Sequence, residues 1–160
     1  MSSADEEAAN DARILARMHD DVRDYGWHII RIPEDATGPG FAFSVGLLTT
    51  LGLPEVIVFG LPTGLMHRKL NGLGDQLRAG ARFETGAPIP DLLEGAVCQL
   101  HPVHPSQLPE YFGSAIWFHQ RRDFPALQLI WPGKQDGIFP WQPGADDGVR
   151  MRQPDLRQPR

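Results

Sequence analysis

The sequence predicts an α+β fold, built on a mainly antiparallel sheet or a small barrel with about three helices. Residues 41–48 alternate large and small side chains, and residues 56–59 form a β-branched and aromatic run, so both segments are typical of core strands. Three other stretches carry apolar residues at helical spacing. The predicted strands cluster without regular alternation with helices, which favours α+β over a doubly wound parallel sheet.

The length and composition of the chain indicate one globular domain. The chain has 160 residues, of which 41% are hydrophobic and 22% charged, enough for a real core. We expect this domain to span residues 8–141, with a disordered N-terminus at 1–7 and a disordered, Pro- and Gly-rich tail at 142–160. The net charge of -5, without a basic stripe, argues against a nucleic-acid partner.

The sequence also predicts the cellular location of the protein. No apolar run approaches the roughly 20 residues of a membrane span, so no membrane partner is expected. The acidic start MSSADEEAANDAR is not a secretory signal, which makes the cytoplasm the expected location. The single cysteine, Cys98, excludes an intramolecular disulfide and a multi-cysteine metal site.

The first elements are a helix and a hairpin. Apolar residues recur every three or four positions from Ala8 to Tyr25, and Gly26 is a suitable stop for this amphipathic helix. Residues 27–32 have strand character, and the turn-rich segment 33–40 connects them to the strand at 41–48. The first two strands are therefore predicted to pair in antiparallel fashion.

The strand at 41–48 has a face of small side chains, including Ala42 and Ser44. That face leaves room for another part of the protein or for a small ligand, and the pattern fits both. Thr49 and Thr50 follow it, and their hydroxyls could cap their own backbone or donate to a phosphate or carboxylate of a ligand.

A second helix is predicted from Thr63 to about Arg78, with its N-terminus aimed by the strand at 56–59 and suited to an anion. Gly72 and Gly74 weaken it by about 1 kcal/mol each relative to alanine, unless something packs closely there. A short strand is expected at 82–85, followed by a Pro-containing loop at 86–91.

The second half is predicted to contain a strand at 96–103, a helix from Ser106 to His119 and a strand at 124–131. A short apolar return at 138–141 follows a turn. Its aromatic side chains, among them Trp131, Phe139 and Trp141, could line a pocket, fill the core or meet a protein partner.

No motif identifies a catalytic centre. His101 and His104 have metal-like spacing, and His119 with Asp123 could supplement them, but residues three apart on a strand point to opposite faces. We therefore predict no metal site. Cys98 is interpreted as a small buried apolar group, because no activating base is evident beside it. The catalytic residues, and whether the protein is an enzyme, stay open.

Three segments carry a family resemblance: YGWHII at 25–30, FAFSVGLLTTLGLPEVIVFGLP at 41–62 and FPALQLIWPGKQDGIFPWQPG at 124–144. In this order they resemble the bacterial family catalogued as domain of unknown function 4262, over about residues 10–144. Gly133 stands where the family pattern leads us to expect an aspartate. The resemblance implies no assigned activity.

The order of elements in residues 41–85 also resembles flavin reductase-like split barrels. In that family the strand hydroxyls and the following loop bind the flavin phosphate. The resemblance implies a split-barrel-like core that binds flavin mononucleotide (FMN), and a homodimer. The cofactor-binding residues it implies are Ser44, Thr49, Thr50, Thr63 and Arg82, with Arg68 an alternative to Arg82 as the counter-charge.

Three functional hypotheses follow. The first is an uncharacterised domain that binds a small ligand between the small-residue face of strand 41–48 and the aromatic second half. The second is an FMN-dependent oxidoreductase of split-barrel type, in which the cofactor supplies the chemistry. The third is a protein-interaction module that binds its partner through Trp131, Phe139 and Trp141.

Overall fold

A six-stranded sheet forms the centre of the protein in the computed structural model, which describes residues 2–160. The strand order is β1-β2-β3-β6-β5-β4, and all pairings are antiparallel except the parallel pair β3–β6. The strands are β1 His28–Ile32, β2 Phe41–Val45, β3 Glu55–Phe59, β4 Ile89–Leu93, β5 Ala96–Pro102 and β6 Ala126–Ile130. The mainly antiparallel α+β prediction is confirmed, whereas the barrel alternative is wrong because β1 and β4 leave two open edges.

Six α-helices surround this sheet within residues 2–160, so the prediction of about three helices is wrong. Only α1 and α3 are long, and the short ones are set by local capping and turns that helical periodicity does not reveal. The helices are α1 Ser3–Asp24, α2 Leu47–Leu51, α3 Thr63–Arg78, α4 Leu108–Tyr111, α5 Gly113–His119 and α6 Asp147–Arg152.

The two faces of β2 pack against different helices. Phe43 and Val45 lie in an aromatic cluster with Phe112 beneath α4 and α5, while Ala42 lies in the cluster that contains the apolar side chains of α3. The alternation of large and small side chains is confirmed for residues 41–45, whereas residues 46–48, which were predicted to continue the strand, form the turn at Gly46 and the start of α2. Because α3 packs on the small-residue face, that face serves helix packing, and the ligand expected there stays a prediction.

Gly74 shows how closely α3 approaches the sheet. A Cβ atom added to Gly74 would lie 2.5 Å from the Trp27 ring, so only glycine fits at this position without a shift of the indole. The Trp27 Nε1–H donates a hydrogen bond to the Asn71 side-chain oxygen on the same helix, at 2.9 Å. Close packing thus explains Gly74, whereas a Cβ on Gly72 would meet nothing within 4 Å.

Two predicted elements lie elsewhere in the structure. The strand expected at 82–85 is absent, and β4 occupies Ile89–Leu93, where a loop was expected. Pro90 is tolerated in β4 because this is an edge strand with no neighbour on one side. The helix expected from Ser106 to His119 is divided into a 3-10 turn, α4 and α5, with the break at Phe112.

The ends of the chain carry structure outside the predicted domain of residues 8–141. Helix α1 begins at Ser3, and α6 lies between Asp147 and Arg152. Val149 and Leu156 are buried, so the C-terminal segment covers part of the sheet. The domain bounds and the disorder at 1–7 and 142–160 stay predictions about the chain in solution. No helix of the described chain is both long enough and apolar enough to cross a membrane.

Candidate functional site

The most polar point of the core is the carboxylate of Glu55, which begins β3 and is 0% exposed. Its Oε1 accepts hydrogen bonds from the Ser44 hydroxyl at 2.8 Å and the Leu47 N–H at 3.1 Å. Its Oε2 lies 2.8 Å from the Gly46 N–H, which donates to it, and 2.7 Å from His119 Nε2. A buried carboxylate is stable only when such partners replace its water shell.

Local sequence builds this network. Gly46 has a φ of 113°, which turns the chain from β2 into α2 so that two successive N–H groups meet the Glu55 carboxylate. The Ser44 hydroxyl accepts from the Val56 N–H at 2.9 Å, just past the last β2–β3 pair. Since Glu55 is fully buried and its oxygens are already bonded, we interpret this network as structural.

A cavity that a ligand could enter lies where the two parallel strands end. The carboxyl ends of β3 and β6 point to the same edge of the sheet, the position where ligands bind in many α/β proteins. The chain leaves β3 through Leu61 and enters α3, and it leaves β6 through Trp131 and Pro132. Here α3, α6 and the β4–β5 hairpin surround a cavity of about 540 Å³, called the basic pocket below.

The basic pocket combines an apolar wall with positive charge. Its apolar side chains are Leu61, Leu65, Leu93, Ala96, Trp131, Pro132 and Val149, and its charged ones are Arg68, Lys69, Lys134, Arg152 and Glu94. Within residues 2–160, none of the four cationic side chains has a carboxylate within 4.0 Å. The pocket therefore has three more positive than negative charges, in a protein whose net charge is -5.

Trp131 is held in this wall by its polar atoms. Its indole N–H donates to the Phe59 carbonyl at 2.7 Å, which links the ends of β6 and β3. The Gln153 side chain pairs with the Trp131 backbone, accepting from its N–H at 3.0 Å and donating to its carbonyl at 2.8 Å. The Arg152 guanidinium lies 5.2 Å from the Trp131 ring centroid, within the range of a cation–π contact.

The structure does not bring the predicted flavin-binding residues together. The Ser44 hydroxyl is buried against Glu55, and the Thr50 hydroxyl donates to the Gly26 carbonyl at 2.6 Å. Thr49 is exposed on α2. Thr63 begins α3, whereas Arg82 donates to the Leu77 carbonyl at 3.0 Å, past the other end of that helix. A 16-residue helix spans about 24 Å, too far for one phosphate.

The predicted interaction residues do not all line one cavity. Trp131 is buried in the basic pocket, whereas Phe139 and Trp141 stack on each other with ring centroids 4.9 Å apart. Trp141 is 37% exposed, and the Arg157 guanidinium covers its ring at 4.3 Å. The exposed aromatic surface near residue 141 is thus partly covered by the chain itself.

The three histidines considered as metal ligands have separate partners. His101 Nε2 lies 2.8 Å from the Gln99 side-chain oxygen, and His104 Nδ1 lies 2.9 Å from the Ser106 hydroxyl, while His119 meets Glu55. In the described chain no three His, Cys, Asp or Glu side chains gather as metal ligands would. Cys98 is buried, as predicted, and burial raises the pKa of its thiol to about 11.

Sequence reasoning missed Glu55 and three of the four pocket cations, and considered Arg68 only as a flavin counter-charge. Glu55 directly precedes a β-branched run that predicts a buried strand. A carboxylate at the start of such a strand is the one sequence signal that Glu55 is buried and needs hydrogen-bond partners. Lys69, Lys134 and Arg152 lie far apart in the sequence, so no local motif marks them.

A family model described as "Domain of unknown function (DUF4262)" matches residues 21–146, well over half of the chain. The protein belongs to the DUF4262 family. This membership confirms the predicted resemblance, and comparison with curated proteins and with solved structures found no match. In this DUF4262 domain the matched residues contain the whole sheet and end before α6. Val149 and Arg152 therefore add residues from outside the match to the basic pocket.

Gly133, which stands where the DUF4262 pattern leads us to expect an aspartate, has a neighbour that fills the missing space. A Cβ atom on Gly133 would lie 2.3 Å from the Asp136 Oδ1 atom. That same oxygen accepts a hydrogen bond from the Ile138 N–H at 2.9 Å. A side chain at position 133 would therefore require Asp136 to move.

Proposed function

We propose that this DUF4262 domain binds a small amphipathic anion, a molecule with an apolar body and one carboxylate, phosphate or sulfate group, in the basic pocket. The observation that carries the proposal is the set of four cations without carboxylate partners around an apolar wall. A volume of about 540 Å³ lies within the range of about 300–1,000 Å³ of small-molecule sites.

The positions of the cations support an anionic ligand. The Arg68 Nη1 atom lies 3.7 Å from the place of a Cβ on Gly64, so the guanidinium lies beside the first turn of α3. That turn has no acidic residue, and the helix N-terminus is itself positive. Placing a cation there is unfavourable unless an anion compensates, which favours an anionic group near Arg68.

The apolar wall supports a ligand with a hydrophobic body. Trp131 presents an aromatic ring that is fixed by hydrogen bonds from both its indole and its backbone, so it loses little freedom when a ligand packs on it. Leu65 and Val149 extend the wall from α3 and α6. A purely polar anion would leave this surface uncovered, so we expect affinity to rise with the apolar area of the ligand.

FMN belongs to this chemical class, since it joins a flat ring system to a phosphate. The flavin hypothesis therefore stays a prediction, with one change of residues. In the basic pocket the phosphate would contact Arg68, Lys134 or Arg152 in place of Thr50 and Arg82. The absorbance of the purified protein between 300 and 550 nm, with and without added FMN, tests this version.

The general test uses 8-anilinonaphthalene-1-sulfonate as a fluorescent amphipathic anion, with octanoate and octanol as competitors. We expect octanoate to displace the dye and octanol to compete much more weakly. Replacing both Arg68 and Lys134 with alanine should weaken dye binding at least tenfold, because each lost charge-assisted hydrogen bond is worth about 1.5–3 kcal/mol. The matched control is Arg122→Ala, a variant at an exposed arginine outside the pocket. Equal affinity in the double variant and the control would refute the proposal.

A further inference from the structure

A second cavity lies at the open edge of the sheet, beside β1. It has a volume of about 600 Å³ and is lined from three elements, the C-terminal half of α1, the strand β1 and the middle of α3. We call it the edge cleft and define it by the polar side chains used below, Arg17, Asp21, His28, Arg31, His67 and Asn71. It shares none of these with the basic pocket.

A carboxylate–imidazole pair is the most organised feature of the edge cleft. Asp21 on α1 and His28 at the start of β1 bring Oδ2 and Nδ1 to within 2.5 Å. Since a carboxylate accepts, the imidazole proton is assigned to Nδ1, which leaves a lone pair on Nε2. Nε2 has no hydrogen-bond partner in the described chain, and the His28 side chain is 20% exposed. A carboxylate on Nδ1 and a free Nε2 are the arrangement of a histidine general base.

Groups that attract and orient an anion share the cleft with this pair. Within residues 2–160, neither Arg17 nor Arg31 has a carboxylate within 4.0 Å. The Asn71 oxygen accepts from Trp27, so its amide N–H groups stay free to donate. Burial, with the charge of Arg31 beside it, lowers the pKa of His67, which makes this imidazole a neutral donor at pH 7.

No Ser, Thr or Cys of residues 2–160 lines the cleft. The atom that a general base could activate here is therefore the oxygen of a water molecule. One histidine can serve both halves of acyl transfer, because the same imidazole first takes a proton and then returns it to the leaving group. In-line phosphoryl transfer places the attacking and leaving oxygens on opposite sides, where one imidazole cannot reach both.

We propose that the edge cleft is a catalytic site that hydrolyses small carboxylic esters bearing a separate anionic group. His28 Nε2 accepts a proton from water while the water oxygen bonds to the ester carbonyl carbon. The tetrahedral oxyanion accepts a hydrogen bond from the Asn71 amide, while Arg31 pairs with the separate anionic group of the ester. The carbon–oxygen ester bond then breaks, and the His28 imidazolium returns the proton to the leaving oxygen. The products are a carboxylic acid and an alcohol, and Asp21 is a positioning residue.

The test measures hydrolysis of 4-acetoxybenzoate and of its neutral methyl ester by the full-length protein. We expect His28→Gln to lower kcat/KM for 4-acetoxybenzoate at least a hundredfold, in line with the contribution of a general base. His104→Gln, at a histidine bonded to Ser106 outside the cleft, is the matched control and should keep the rate. Arg31→Gln should remove the preference for the charged ester over the neutral one.

Two further measurements separate catalysis from a structural role of the pair. Added imidazole should restore part of the rate of His28→Gly, which a mere loss of folding would not allow. Asp21→Asn should shift the pH–rate profile of the remaining activity. Besides Asp21, the titratable or charged side chains that share the cleft with His28 are Arg17, Tyr25, Arg31 and His67. Arg122→Ala, at an exposed arginine outside both cavities, should leave the rate unchanged.

Hydrolysis no faster than in buffer would overturn the proposal. So would equal rates in His28→Gln and His104→Gln, or a loss in His28→Gly that imidazole does not restore. None of these results bears on the basic pocket, because dye binding there is measured with different variants and a different probe.

Discussion

Glu55→Gln is the substitution that tests the buried network most directly. The amide keeps the size of the carboxylate but replaces one oxygen with an N–H₂ donor. If the nitrogen takes the Oε2 position, it can donate to His119, yet it faces the Gly46 N–H, which then has no acceptor. If it takes the Oε1 position, the Ser44 hydroxyl can rotate to accept, but the Leu47 N–H is left unpaired.

Either placement leaves one buried backbone donor without a partner, which costs about 1–3 kcal/mol. The hydrogen bonds that remain also weaken, because bonds to an ionised acceptor are roughly twice as strong as neutral ones. We therefore expect Glu55→Gln to lower the free energy of unfolding by about 2–4 kcal/mol.

Urea unfolding followed by tryptophan fluorescence measures this difference, with the midpoint and the slope fitted separately. Glu84→Gln is the control, because Glu84 is exposed and its substitution should change stability by less than about 0.5 kcal/mol. A loss below about 1 kcal/mol for Glu55→Gln, at an unchanged slope, would refute the assignment of a structural role to the four hydrogen bonds.

Three further outcomes are expected. Gly74→Ala should destabilise the protein by about 1–3 kcal/mol, because its Cβ would lie 2.5 Å from the Trp27 ring, and a stability equal to wild type in thermal unfolding would contradict this packing. Cys98, with its thiol pKa raised to about 11, should react with a thiol reagent at pH 8 only at the rate of unfolding, so rapid labelling of the folded protein would disprove its burial. Gln153→Ala should lower stability by about 2 kcal/mol and weaken dye binding in the basic pocket, since it removes both hydrogen bonds to the Trp131 backbone, and an unchanged affinity would show that α6 stays in place without them.

The sequence was informative where a local pattern decides the structure. Alternation in residues 41–48 predicted a strand with two faces, because side chains of a strand point alternately to opposite sides, and β2 forms over Phe41–Val45 of it. The helix predicted to start at an N-cap Thr63 and run to about Arg78 corresponds to α3, although Thr63 is its first residue and Pro62 takes the N-cap position. In both cases the information lies within a few neighbouring residues.

The prediction from helical spacing was wrong where the apolar pattern continues through a break in the helix. Leu108, Phe112 and Ala115 all belong to the aromatic cluster, and their spacing fits one helix. The backbone nevertheless leaves helical geometry at Phe112, with a φ of -108° and a ψ of 30°, so α4 and α5 are separate. Two short helices can present the same apolar face as one long helix, and periodicity alone does not distinguish them.

The candidate site was largely invisible in the sequence because its members meet only in three dimensions. Glu55 meets Ser44 and His119, which lie 11 residues before it and 64 after it. The basic pocket takes cations from positions 68 to 152. Of the residues predicted for ligand or partner binding, Trp131 and Arg68 lie in that pocket. Trp131 was chosen for its aromatic ring and Arg68 as a flavin counter-charge, so neither was chosen for its surroundings.

The charge of the basic pocket is the strongest reason to look for a ligand. Like charges within about 8–10 Å repel one another at physiological salt, and the repulsion grows where apolar walls lower the local dielectric constant. The net charge of -5 means that acidic side chains outnumber basic ones, yet within residues 2–160 Glu94 is the one acidic side chain that lines the pocket. The mutual repulsion of the four cations raises the free energy of the folded protein, and the chain's own carboxylates do not neutralise it. A bound anion would neutralise these charges and so explain the arrangement.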